Sequence, residues 1–202
     1  MNSSIINNDM INYKNLDWKL LKSINPDIVG WMHVTSTPID YPIVKSRSDG
    51  YYYNHNVSGD ESAHGCLQAV YENDFLNYRT NIIGHAMKDG SMFVSLHKYY
   101  YIPGFFEDNK IIDIVTQDKS YKVKVWAAIS VTNDKLSLGY IPTDPKLFDR
   151  WKSVIKKLST ISDNSEPSCL DSQVSFITCR PCKSIPSDGV VIVFCYLEKW
   201  KI

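Results

Sequence analysis

The spacing of apolar residues changes period several times along the chain. Leu16, Leu20 and Ile24, with Leu21 beside them, recur at helical intervals until Asn25 and Pro26 interrupt them, which predicts a short leading helix. Residues 28–34 and 38–44 are rich in β-branched and aromatic types and carry Gly30 and Pro42, as edge or barrel strands do. A polar and aromatic loop over 51–65 leads to a strand at 66–71, and residues 81–85 form a short strand that ends in Gly84-His85. Lys88-Asp89-Gly90 is a turn signal, after which Ser91 is placed to cap a short helix bearing Met92, Phe93 and Leu96. Residues 111–116 and 121–131 flank a polar turn and read as a hairpin with Lys122 and Lys124 on its wet face. Asp144-Pro145 opens the clearest helix, with Leu147, Phe148, Trp151, Val154, Ile155 and Leu158 on one stripe. After a loop at 164–168, a strand over 174–178 ends at Cys179, and the apolar run 190–197 forms a last, buried strand.

About eight strands, a helix in front and a larger helix late in the chain define a mainly β fold, a small barrel or sandwich. Parallel α/β winding does not fit this order. At 202 residues and 44% hydrophobic content the chain is long enough for one core without staples. Residues 1–202 are therefore expected to form a single domain, with about 1–12 as a polar, flexible tail. The 22 basic residues balance the 22 acidic ones, so no global field favours nucleic acid or an anionic membrane. The longest apolar run is far short of the ~20 residues that span a bilayer. The first residues lack the charged and apolar regions of a secretion signal, so a membrane is expected as a partner only through an anchor outside this chain.

The five cysteines are an odd number and too unevenly spaced for a disulfide framework. Cys195, inside the last strand, reads as core filler, as do Cys66 and Cys169. Cys179 differs because it stands where an apolar strand emerges, although filler is the ordinary reading of any single cysteine. His85, also at a strand end, can hold or release a proton near neutral pH. A thiol and an imidazole far apart in sequence, both at strand ends, form the pattern of a nucleophile pair that meets only in the fold. Cys179-Arg180-Pro181-Cys182 is a C-x-x-C pair, which admits redox chemistry or a reversible disulfide that masks Cys179. A zinc site would need two more ligands, and His33, His55, His64 and His97 read as surface or loop residues without metal-ligand spacing. Neither a metal nor another cofactor is expected.

Taken in order, these blocks resemble the sortases, class B most closely. The resemblance is carried by Gly84-His85, the Met-Lys-Asp-Gly-Ser-Met-Phe stretch from Met87 to Phe93, Thr178-Cys179, and the earlier stretches 25–31 and 39–44. It implies an eight-stranded β-barrel with an N-terminal helix and a helix inserted before the last two strands. It further implies a cysteine transpeptidase of the Gram-positive cell surface, with Cys179 as nucleophile and His85 as its proton-handling partner. Ile177, Thr178 and Tyr140 would then lie at the substrate. The partners implied are the sorting-signal peptide of a surface protein, of Asn-Pro-x-Thr type, and a peptidoglycan precursor amine. The family's arginine at the start of the strand after the cysteine has no counterpart here, because Asp188 and Gly189 stand in its place. A peptide-binding module with weak or no activity is therefore a second reading, and a thiol-disulfide oxidoreductase a third.

Overall fold

The computed structural model describes residues 15–71, 75–165, 167–179 and 189–197. The expected N-terminal tail, Arg180, Cys182 and Asp188 lie outside the described residues. Eight strands close into a barrel: β1 (Ile28–His33), β2 (Asp40–Lys45), β3 (Leu67–Tyr71), β4 (Arg79–Ile83), β5 (Ile111–Val115), β6 (Ser120–Thr132), β7 (Ser172–Cys179) and β8 (Gly189–Leu197). Around the barrel they run β1-β2-β3-β4-β7-β8-β6-β5, with β2/β3 and β4/β7 parallel and the other neighbours antiparallel. Closure removes exposed sheet edges, and Pro42 stands in β2 just outside the β2/β3 ladder, which begins at Ile43.

The leading helix α1 (Trp18–Ile24) is capped by Asp17, whose carboxylate accepts from Leu20 N at 2.9 Å. Two short helices, α2 (Lys98–Tyr101) and α3 (Phe105–Asp108), and the 3₁₀ turn Asn133–Gly139 carry no amphipathic period long enough to be read from sequence. The segment expected as a Ser91-capped helix is instead a 3₁₀ turn, Phe93–His97, preceded by Met92 at φ 55°. Ser91 is drawn away from the capping role because its backbone N–H and its hydroxyl both donate to Asp89, at 2.9 and 2.6 Å.

Two apolar layers meet across the same strands. Val174 and Phe176 of β7 and Val191, Val193 and Cys195 of β8 point into the barrel, whereas Ile177, Ile192 and Phe194 alternate outward. The outward set is covered by α4 (Pro145–Leu158), which is why β8 is apolar on both faces. A register shift in β6 between Val125 and Ala127 lets Val125 and Ala128 face inward while Trp126 and Ala127 both join the outer layer. The predicted α4 stripe is only half used: Phe148, Trp151 and Ile155 are buried, while Leu147, Val154 and Leu158 are exposed. The helix is rotated so that Trp151 Nε1 donates to the Leu138 carbonyl at 2.8 Å, which leaves one flank of the stripe in solvent. Full burial of each of the three inward residues contributes about 1.5–3 kcal/mol.

Candidate active site

The site is built where β4 and β7 end side by side. Their parallel register runs from Arg79↔Gln173 at one end, the base, to Ile83↔Ile177 at the other, the mouth. Gly84 N closes this ladder by donating to the Ile177 carbonyl at 3.1 Å. Two residues beyond Ile83 and Ile177 the two chains reach His85 and Cys179, just past the ladder. The two residues, 94 positions apart in the sequence, thus stand at adjacent strand ends. Cys179 is exposed and free, and it keeps the outward alternation of Ser175 and Ile177.

His85 is half-buried, and its Nε2 donates to the Tyr53 carbonyl at 2.8 Å, with the Tyr53 ring 6.1 Å away at 62°. A carbonyl can only accept, so this bond assigns the proton to Nε2 in the neutral ring and leaves Nδ1 as its basic nitrogen. Gly84 is required by close packing, since a Cβ there would lie 2.6 Å from Leu67 Cδ2 and 2.9 Å from Phe93 Cδ2. The turn after His85 is braced by His64 Nε2 against Asp89 at 2.9 Å. The Ser91 hydroxyl, and after it His64, hold the Asp89 carboxyl well below the usual carboxylate range.

The other cysteines separate from Cys179 by environment. Burial pushes the Cys66 thiol up to about 12 and raises Cys195 well above its ordinary value, so neither supplies a thiolate at neutral pH. Cys169, expected as core filler, is only partly buried at the margin of the outer layer because it lies in the turn before β7. Among the described residues no cluster of three or more histidine, cysteine or acidic side chains could hold a metal ion.

The expected substrate residues fall on different surfaces. Tyr140 is 54% exposed and follows Gly139, whose position over β7 is so tight that a Cβ would meet Ile177 Cδ1 at 2.9 Å. Gly139 thus lies against the outer face of β7, the one that carries Cys179, and Tyr140 is the next residue. Ile177 lies beneath this segment at 4% exposure, and Thr178 points into the barrel at 1%. Gly189 opens β8 opposite Thr132 of β6, next to the Val190 that pairs with Cys179. It brings no side chain to the mouth.

His97 corrects the sequence reading, because it is neither a surface nor a free loop residue. It is 6% exposed at the end of the Phe93–His97 turn, and its Nε2 donates to the Cys179 carbonyl at 2.7 Å. Burial lowers its pKa, against the opposing pull of that hydrogen bond. A sequence signal was available: His97 lies four residues after Phe93 and one after Leu96, on the apolar side of the same short helical stretch. Tyr53 offered no such signal, since it acts through its backbone.

A closed eight-stranded barrel of this topology is the sortase fold, and solved structures agree. The Staphylococcus aureus sortase B–substrate complex superposes with a TM-score of 0.79 at 23% identity, over 91% of this chain and 85% of that one. A Bacillus anthracis protein described as similar to sortase B gives 0.77 at 29% identity, over 89% and 81%. Sortase B of Listeria monocytogenes is 32% identical over 177 aligned positions, and the match covers 85% of this chain and 70% of that protein. No sequence profile of a known protein family matches. The chain belongs to the class B sortase family, which makes it a sortase-type cysteine transpeptidase. Among the described residues no helix is long and apolar enough to cross a membrane.

Proposed function

We propose that this chain cleaves a sorting-signal peptide through a thioester on Cys179 and transfers the acyl group to a cell-wall amine at the bacterial surface. The observation that carries the reading is the parallel β4/β7 register, whose last pair, Ile83↔Ile177, lies two residues before His85 and Cys179. An extended peptide would lie across the mouth between Tyr53 and Tyr140, with Ile177 and Thr178 as the buried strand beneath it. The Cys179 sulfur attacks the peptide carbonyl as the thiolate, its proton having passed to His85. The tetrahedral oxyanion collapses, the C–N bond breaks, and the imidazolium gives its proton to the leaving amine. The incoming amine then attacks the thioester carbonyl, loses a proton to His85 and releases Cys179. The Tyr53 carbonyl supports this role by holding the ring in one tautomer and stabilising the imidazolium.

Gly189, without a side chain at the start of β8, favours a second reading: a peptide-binding relative with little turnover. Loss of one oxyanion donor lowers a rate by about 10²–10³. One experiment separates the two. The chain is incubated for hours with an Asn-Pro-x-Thr-type peptide and a glycine amine, and followed by mass spectrometry. A thioester on Cys179 and a transpeptidation product support the enzyme, and Cys179→Ala should abolish both. Reversible binding without an adduct supports the module. Undiminished turnover in Cys179→Ala would overturn the mechanism.

A further inference from the structure

We infer that the 3₁₀ turn Phe93–His97 is a strut fixing the spacing between the two halves of the site, and that His97 is its positioning residue. The inference rests on the reading of Cys179 as nucleophile.

The turn is bonded to the backbone of both candidate residues. At its start Phe93 N donates to the His85 carbonyl at 2.8 Å, and at its end His97 Nε2 donates to the Cys179 carbonyl at 2.7 Å. Between them Phe93 and Leu96 are fully buried, and Phe93 packs edge-on against Phe176 of β7 with ring centroids 6.1 Å apart. The anchor points therefore cannot move independently of the core.

Strand geometry explains why a side chain is needed at Cys179. Backbone groups of residues two apart on a strand point to the same neighbour. The Ile177 carbonyl points to β4, where Gly84 N meets it. The Cys179 carbonyl, two residues on, points the same way, but β4 has ended and its chain has turned off at His85. His97 Nε2 stands where the next strand amide would have been. An unpartnered carbonyl at this depth would let the last residue of β7 swing, and with it the Cβ that carries the sulfur. His97 Nδ1 is buried without a hydrogen-bond partner, so the ring is held by its single bond to Cys179 and by packing, including the Tyr101 ring edge-on at 6.4 Å. Its bond goes to the Cys179 backbone, through which it acts.

The test uses His97→Leu, which removes the donor, and His97→Gln, which can present an amide N–H near the place of Nε2. The first readout is alkylation of Cys179 by iodoacetamide between pH 5 and 9, mapped to the Cys179 peptide by mass spectrometry. It needs no knowledge of the substrate. The second is thioester formation with the sorting-type peptide. A misplacement of the order of 1 Å in a reacting group lowers a rate by about 10²-fold. His97→Leu is expected to lower kcat by about ten- to a hundredfold, with KM unchanged, and to shift the pH profile of alkylation. His97→Gln should restore both. Melting temperatures of the two variants establish that each is folded. A His97→Leu protein that is folded and keeps the wild-type alkylation profile and kcat overturns the strut. Equal loss in His97→Gln and His97→Leu also overturns it. If wild type forms no thioester while His97→Leu still shifts the alkylation profile, the transpeptidase reading fails and the strut stands.

Discussion

The two ends of the β4/β7 pair are held in opposite ways. At the base, the Arg79 guanidinium donates to four backbone carbonyls: Tyr78 at 3.2 Å, Asp171 at 3.0 Å, Pro142 at 3.3 Å and Cys169 at 2.9 Å. One side chain there ties β4 to the segment entering α4 and to the turn entering β7. At the mouth, the His85 ring has one hydrogen bond, to the Tyr53 carbonyl, and the Cys179 carbonyl has one, from His97. Redundant bonds make the base a matter of stability. Single bonds at the mouth leave reacting groups accessible and place their precise geometry under the control of a few residues.

The sharpest way to break this contrast is to cut the base. Arg79→Met keeps much of the side-chain bulk against Phe148 but removes every donor. Hydrogen bonds from a charged group contribute about 1.5–3 kcal/mol each and are not additive, so a loss of about 3 kcal/mol is expected. At this chain length that corresponds to a fall of about 6–12 °C in Tm. Measured by calorimetry and by initial acylation rate well below the new Tm, the variant should be less stable yet retain kcat. A kcat loss larger than the stability loss would show that the two ends are coupled. At the mouth the order of effects should reverse. Gly84→Ala forces a methyl against Leu67 and the Phe93 ring, an overpacking that costs about 1–3 kcal/mol. Because Phe93 begins the strut, its acylation rate should fall more steeply than its Tm. Equal rates in folded Gly84→Ala and wild type would remove Phe93 from the positioning argument.

The base and the mouth were not equally legible in the sequence. Strand period, turn signals and the late amphipathic stripe located all eight strands, α1 and α4, because those elements repeat their pattern over five or more residues. The blocks around His85 and Cys179 were recognisable because each places a reactive residue directly after an apolar run. His97 escaped for a physical reason: its function depends on β4 ending before it can offer an N–H to the Cys179 carbonyl, a consequence of register between strands about ninety residues apart. The Arg79 contacts escaped likewise, since all four acceptors are backbone atoms and leave no mark in composition. Leu147, Val154 and Leu158 belong to the correct stripe, but its rotation is set by one bond from Trp151, which periodicity cannot supply.

The smallest expected effect separates the two histidines that brace the mouth. Burial lowers the His97 pKa in the folded state, with no charged group contributing, so the unfolded chain takes up its proton first as pH falls. Below the ordinary histidine value of about 6.5 the unfolded state then binds more protons than the folded one, and stability declines as pH drops toward the lowered folded value. The stabilisation is thus fully present above about pH 6.5 and lost beneath it. The His64–Asp89 pair has another window. The carboxyl of Asp89 is depressed, so its contribution persists through mildly acidic pH and is lost only below the ordinary carboxylate range. Thermal unfolding of wild type and His97→Gln between pH 7.5 and 4.5 should therefore converge or cross, with wild type losing Tm more steeply below pH 6.5. Asp89→Asn should run parallel to wild type over the same interval. If His97→Gln instead parallels wild type, the buried ring is not what makes the mouth acid-sensitive, and the neutral imidazole assigned to the strut loses its thermodynamic support.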